Sequence, residues 1–143
     1  MKKPASLRLA VTTAIPDLVN DPDKLLVFVN SGRITSTGTP GKAFQYAYTA
    51  NLILTDWSGD PDQLLYAILA WCRVHESDLL ENPEKQARGI RFEVDVLNNE
   101  SYDVSVELEL SESVTVAIAA DGQPQFTHLD EPVPEWARMG SLV

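Results

Sequence analysis

The chain has 143 residues, room for one domain with a real core and not comfortably for two. Its 44% hydrophobic content excludes a disordered chain. A formal charge of −10, from 21 acidic against 11 basic residues, argues against a phosphate-binding surface, because nucleic-acid affinity needs clustered Lys and Arg.

The N-terminal stretch MKKPASLRLAVTTAIPDLV begins with two lysines, as a signal peptide does, but Arg8 and Asp17 interrupt any continuous apolar run. No stretch has the length and apolarity of a membrane span, so the expectation is a soluble chain in the cytoplasm. Within it, Leu7, Val11, Ala14, Ile15 and Leu18 recur at helical spacing, which predicts a helix over residues 6–19 that Pro16 kinks or ends early. The Asn20-Asp21-Pro22-Asp23 cluster then punctuates the chain.

Residues 24–30, KLLVFVN, form a short run rich in branched and aromatic side chains. Apolar at successive positions, it reads as a strand that is central or covered on both faces, extended over residues 33–37. A polar loop with glycine and proline follows, from Ser36 through Thr37 and Thr39 to Lys42. Residues 44–56 alternate, with Phe44, Tyr46 and Tyr48 on one side and Gln45, Ala47 and Thr49 on the other. These two strands and their loop predict a long hairpin with its tip in solvent.

The strongest helix signal spans residues 58–81. Asp60 suits the N-cap, Pro61 the first helical position and Gln63 the amide of a capping box. Leu64, Ile68, Trp71 and Cys72 share one face, and Leu65, Leu69 and Val74 widen it, so a sheet is expected against the inner side. Asn82-Pro83 marks a turn and residues 84–88 a charged linker.

Two strictly alternating runs, residues 90–96 and 102–110, flank Asn98-Asn99-Glu100 and predict an antiparallel hairpin. Val114, Val116 and Ile118 predict a separate further strand, Asp121-Gly122 a turn, and residues 125–129 a weaker closing strand. From Asp130 the sequence DEPVPEWARMGSLV has two prolines and no sustained period. The expected organisation is therefore one domain over residues 1–130 and a flexible segment over 131–143. The fold class is α+β: a largely antiparallel or mixed sheet with two helices packed on one face.

Chemistry is thinly supplied. Cys72 lies in the main helix with no basic neighbour evident, which reads as a structural thiol, and no internal disulfide is possible. His75 follows it by three residues, but no further ligands complete a zinc set. Neither a G-x-S-x-G elbow nor a phosphate- or dinucleotide-binding glycine loop occurs. Neither a catalytic residue nor a cofactor site is expected. Glu93 with Asp95, and Glu107 with Glu109, are neighbours on one strand face. That geometry suits calcium or acid–base work, a solvated sheet face, or a ring interior that repels DNA phosphates and lets the duplex slide past. Among the tryptophans, Trp71 reads as core, Trp57 as corner packing with an interface role open, and Trp136 as an anchor to another chain.

Several stretches in order resemble one family: KPASLR at residues 3–8, DPDKLLVFVNSGRI at 21–34 and FQYAYTANLILTDWSGD at 44–60. LAWCRVH at 69–75, NPE at 82–84 and GIRFEVDVLNNESYDVSVELELSE at 89–112 continue the pattern. Together they resemble the tail completion protein R family of P2-like contractile-tailed bacteriophages and prophages. The resemblance rests on the order of packing and turn residues, since none of these stretches is a catalytic motif. It implies a structural virion protein with a tail-terminator-like fold, at the head-proximal end of the tail, assembled in the host cytoplasm. It further implies a homo-oligomeric, hexameric ring that caps the tail-tube protein and presents a face to the head-connector protein. DNA would pass without specific binding, and no membrane is involved. The contact set expected on this reading is Ser36, Thr37, Thr39, Lys42, Trp57, Glu131 and Trp136, with Glu93, Asp95, Glu107 and Glu109 facing the lumen. The alternatives left open are a small carboxylate-based calcium-binding or hydrolytic module and a monomeric adaptor.

Overall fold

The computed structural model describes residues 1–36, 43–98 and 100–129. Helix α1 spans Lys3–Ala14, with Pro4 in its first turn, where a missing backbone donor costs nothing. It ends at Ala14, two residues before Pro16, and Pro16–Val19 continues as a single 3-10 turn. The proline thus does what its missing N–H dictates. A second 3-10 turn at Pro22–Lys24 leads into strand β1, Leu25–Ser36, and strand β2, Phe44–Trp57.

Helix α2 spans Pro61–His75 and opens as its sequence requires, with Asp60 Oδ1 accepting from the Asp62 amide at 2.9 Å. The capping box is not formed. Gln63 Nε2 reaches out to the Ala14 carbonyl at 3.2 Å and ties the start of α2 to the end of α1. Nor does the helix run to Glu81. It stops at His75, and short helices α3, Asp78–Glu81, and α4, Pro83–Gln86, follow. Glu76 breaks it, because that side chain turns inward to a strand. The charged stretch expected as a linker is therefore partly helical, with Asn82 Oδ1 capping α4 through the Glu84 amide at 3.0 Å.

Strands β3, Ile90–Val96, β4, Tyr102–Ile118, and β5, Pro124–His128, complete the sheet. Its order is β1-β2-β4-β3, with β5 also on β4, and every pairing is antiparallel. β4 is one strand of 17 residues, not the two separate strands expected. β1 is an edge strand and not a doubly covered one. Leu25, Val27 and Val29 turn inward while Leu26 and Phe28 stay exposed, so its unbroken apolar run reflects two different environments.

The inward face is set by register. Leu25, Leu54 and Val104 lie across from one another, as do Val27, Leu52 and Val106, then Ala50 and Leu108. Against them pack Leu7 and Val11 of α1 and Leu64, Ile68, Trp71 and Cys72 of α2, so both long helices cover one face. The amphipathic pattern of α2 is satisfied on that side, and Trp71 Nε1 donates to Ser6 Oγ at 3.0 Å, which joins the two helices. Cys72 is fully buried. Burial first, and the Glu76 charge second, push its thiol up to about 12, which makes it an inert packing group.

Two bulges bend the sheet. Ser31 and Asp56 adopt positive φ at register shifts in β1 and β2. Just past the second, Gly59 lies against the Trp57 ring. A Cβ there would meet Trp57 Cζ2 at 2.2 Å, so this corner requires glycine.

Candidate assembly surfaces

On the face away from the helices, the four carboxylates singled out in the sequence do share one side of the sheet. Arg91 stands across from Glu107, and Glu93 and Asp95 follow on β3. Arg91 Nη2 reaches Glu107 Oε2 at 2.8 Å and Glu109 Oε1 at 3.1 Å, and its other terminal nitrogen donates to the Arg88 carbonyl. Its hydrogen bonds to these two carboxylates hold the guanidinium above its ordinary pKa. Glu109 also accepts from Thr49 Oγ1 at 3.0 Å, and Asn51 Nδ2 donates to Asn30 Oδ1 at 3.1 Å. A polar network therefore crosses the sheet, and it leaves Thr49 and Asn51 buried on a face that no helix covers.

Glu107 and Glu109 are thus engaged by a cation of the chain itself, which counts against the calcium-binding alternative. Among the described residues no group of three or more His, Cys, Asp or Glu is placed to hold a metal. Glu93 and Asp95 are exposed, and Asp103, directly across from Asp95, adds a further carboxylate on this side. Five carboxylates against one guanidinium make the β3–β4 half of the face strongly negative. The β1–β2 half carries Leu26, Phe28 and Ile53 instead.

Of the other sequence-predicted residues, Ser36 and Trp57 are described. Ser36 ends β1, exposed, across from Phe44. Thr37, Thr39, Lys42, Glu131 and Trp136 lie outside the described residues. Trp57 is 4% exposed and packed in the core, so it presents almost no surface to a partner and leaves the contact set.

The structure also holds a polar cluster that alternation does not reveal. β3 and β5 both pair with the same edge of β4 and leave Ser111 between them without a strand partner on that edge, while Ala47 of β2 faces it on the other. Side chains take that role. Glu76 Oε1 accepts from the Ser111 amide at 2.6 Å, and Lys3 Nζ donates to its carbonyl at 2.6 Å. Lys3 and Glu76 also meet each other at 3.1 Å with little exposure. They stand in for the missing backbone, which is why α2 ends where it does.

One residue further on, Glu112 points inward, 5% exposed. It accepts from Tyr48 Oη at 2.6 Å and from the Lys2 amide at 2.7 Å, at the start of α1. His128 Nδ1 lies 3.2 Å from it without the geometry of a hydrogen bond. Burial alone would raise the Glu112 carboxyl, but the Tyr48 and Lys2 hydrogen bonds and nearby positive charge outweigh it and hold the pKa below the usual glutamate value. Burial first, and the Glu112 contact second, drive the Tyr48 hydroxyl far up, and burial with the Glu112 charge raises Tyr46 to about 12. Such a cluster holds the start of α1 and the end of α2 on the sheet. Its sequence signal was faint: a glutamate at an inward position of an alternating strand.

No helix among the described residues is long and apolar enough to cross a membrane. No solved structure matches the chain significantly. Escherichia phage P2 has a relative named "Tail completion protein R" that is 40% identical over 134 residues, covering 94% of this chain and 86% of that protein. Residues 1–132 match the family described as P2 phage tail completion protein R (GpR), and the chain belongs to that family of structural phage tail proteins.

Proposed function

We propose that this protein completes a phage tail as a structural part, closing the head-proximal end of the tail tube and readying it for the head. The carrying observation is the family match over residues 1–132, which takes in every helix and strand of the fold. On this reading function is geometric. One surface fits the last ring of tail-tube protein and stops further growth, and another meets the head connector. Copies of the chain form a ring when assembled, and the segments around residues 36–42 and 131–136 make contacts there. The acidic face of Glu93, Asp95, Glu107 and Glu109 lines the lumen, where negative charge keeps DNA phosphates from sticking.

Electron microscopy of particles made without this protein tests the reading. Overlong or headless tails, restored to normal by the gene in trans, support it; intact phage at normal titre overturns it. The lumen assignment has its own test. Glu93→Gln, Asp95→Asn, Glu107→Gln and Glu109→Gln together should lower titre while the protein stays folded. Unchanged titre removes the lumen idea and leaves the tail role standing.

A further inference from the structure

The outer edge of β3 is open. Residues of an antiparallel pair alternate between bonding to the neighbouring strand and pointing away from it. The Glu109 amide donates to the Gly89 carbonyl at 2.9 Å, so bonding to β4 continues at Arg91, Glu93 and Asp95. Ile90, Phe92, Val94 and Val96 therefore turn their N–H and C=O groups outward, where no backbone group of the described residues meets them. The other edges of the sheet are blunted. β1 is interrupted by the bulge at Ser31, and Arg8 occupies its Leu25 carbonyl at 2.8 Å. β5 has five residues and opens with Pro124, which has no amide to give. β3 runs for seven residues with neither bulge nor proline.

Beside this edge lies an apolar groove of about 420 Å³ between α2, α3 and β3, with Leu65, Leu69, Leu80 and Phe92 among its walls. Phe92 is 56% and Val96 68% exposed, both on the side of the sheet that the helices cover. A strand added to β3 drops every second side chain onto that side, into or beside the groove. Its remaining side chains come up next to Glu93 and Asp95. Both are exposed, and their neighbours on β4 are Ser105 and Asp103, so no cation stands across from them. Opposite charges are favoured at such positions and like charges repelled. The same rule disfavours the β3 of a second copy, which would set Glu93 and Asp95 against their own kind. The β1 of a second copy would bring Leu26 and Phe28 there, again without a cation.

We propose that the β3 edge takes up an extended segment of another protein in which apolar residues alternate with Lys or Arg. Its backbone bonds to Ile90, Phe92, Val94 and Val96, its apolar side chains enter the groove, and its cations lie over Glu93 and Asp95. The inference goes beyond the tail role and stands or falls without it, since it concerns a strand edge of the isolated chain.

Amide hydrogen exchange of the full chain, read by NMR, tests it with two capped peptides: Lys-Val-Lys-Leu-Lys-Val-Lys and its analogue with Glu in place of Lys. Without peptide, the amides of Phe92, Val94 and Val96 should exchange fast while those of Glu93 and Asp95 are protected by β4. The lysine peptide at about ten times its Kd should slow the three outward amides about tenfold, and the glutamate peptide should leave them unchanged. Val94→Pro, which removes an outward donor and no bond to β4, and Phe92→Asp should each abolish the effect. Unchanged protection of the Leu52 and Val106 amides shows that each variant is folded. Glu93→Lys with Asp95→Lys should transfer the effect to the glutamate peptide. No slowing by the lysine peptide at roughly 1 mM overturns the proposal, and so does equal slowing by both peptides. Protection of the outward amides without peptide overturns it too: if it fades on dilution a second copy holds the edge, and if it persists the chain itself does.

Discussion

The sheet has two halves built from the same strands. In one half Leu52, Val106 and Leu108 lie wholly buried beneath α1 and α2. In the other β1, β2, β4 and β5 run on past the helices. There Ile34, Ile118 and Phe126 are 73%, 48% and 60% exposed. β2 and β4 cross the boundary without a break, and between them Tyr48 and Glu112 join hands there. The covered half supplies the stability, and the bare half is a rigid extension of it. That division suits a protein whose work is to present surfaces. The polar cluster of Lys3, Glu76, Ser111 and Glu112 sits at the seam, so changes there test whether the halves are coupled.

The largest effect is expected at the seam itself. Glu76→Ala strips Lys3 of a buried partner and the Ser111 amide of its acceptor. Losses of about 3–5 kcal/mol are typical when one member of a buried ion pair is removed. Urea unfolding should show this, and Lys3→Met combined with Glu76→Gln should recover part of it, since no lone charge then remains buried. Equal losses in the single and double variants would mean that the backbone contacts, not the charges, matter. Next comes Leu108→Ala in the covered half, expected to cost about 2–5 kcal/mol by leaving a cavity under the helices.

Much of this architecture is legible in the sequence. The N-cap at Asp60, the inward stripe of α2, the hairpin of β1 and β2 and the alternation of β3 all follow from period and turn chemistry. Two of the failures, the split of β4 and the end of α2, are tied to the seam. Ser111-Glu112-Ser113 reads as an interruption, because a glutamate at an inward strand position contradicts the pattern. The structure resolves the conflict with a tyrosine hydroxyl and a helix-start amide that arrive from 64 and 110 residues away. Alternation is local and cannot show such partners. The end of α2 is hidden for the same reason, since nothing within a turn of Glu76 announces that Ser111 needs an acceptor. The acidic face, by contrast, is legible because alternation alone puts Glu93, Asp95, Glu107 and Glu109 together. Arg91 stands in that same pattern, yet its pairing with two of them was not foreseen.

A middle-sized effect ties the seam to pH. Glu112 has a folded pKa below its ordinary value, so the stability it contributes is full above that ordinary value and is lost as pH falls through the folded one. Tyr48→Phe removes a charge-assisted hydrogen bond, worth about 1.5–3 kcal/mol, and lets the carboxyl rise. Its melting temperature should therefore fall less than that of the parent protein as pH drops below the ordinary glutamate pKa, because the folded and unfolded carboxyls then bind protons more alike. Glu112→Gln should lose this component of the acid dependence altogether. Parallel curves for Tyr48→Phe and the parent would show that the hydroxyl does not set the carboxyl's affinity for protons.

The smallest effect on stability belongs to the bare half and is the sharpest test of its purpose. Ile34 and Phe126 are exposed on strands that the buried half already anchors, so Ile34→Ala and Phe126→Ala should each change stability by no more than about 0.5 kcal/mol. If the extension exists to be gripped, the same changes should still lower phage titre, because apolar groups that contribute little to the free monomer are the ones a partner desolvates. A variant with an unchanged melting temperature and a lowered titre separates contact from folding. Unchanged titre in both would move the gripping surface to the face carrying Leu26 and Phe28, where the corresponding alanine variants repeat the measurement.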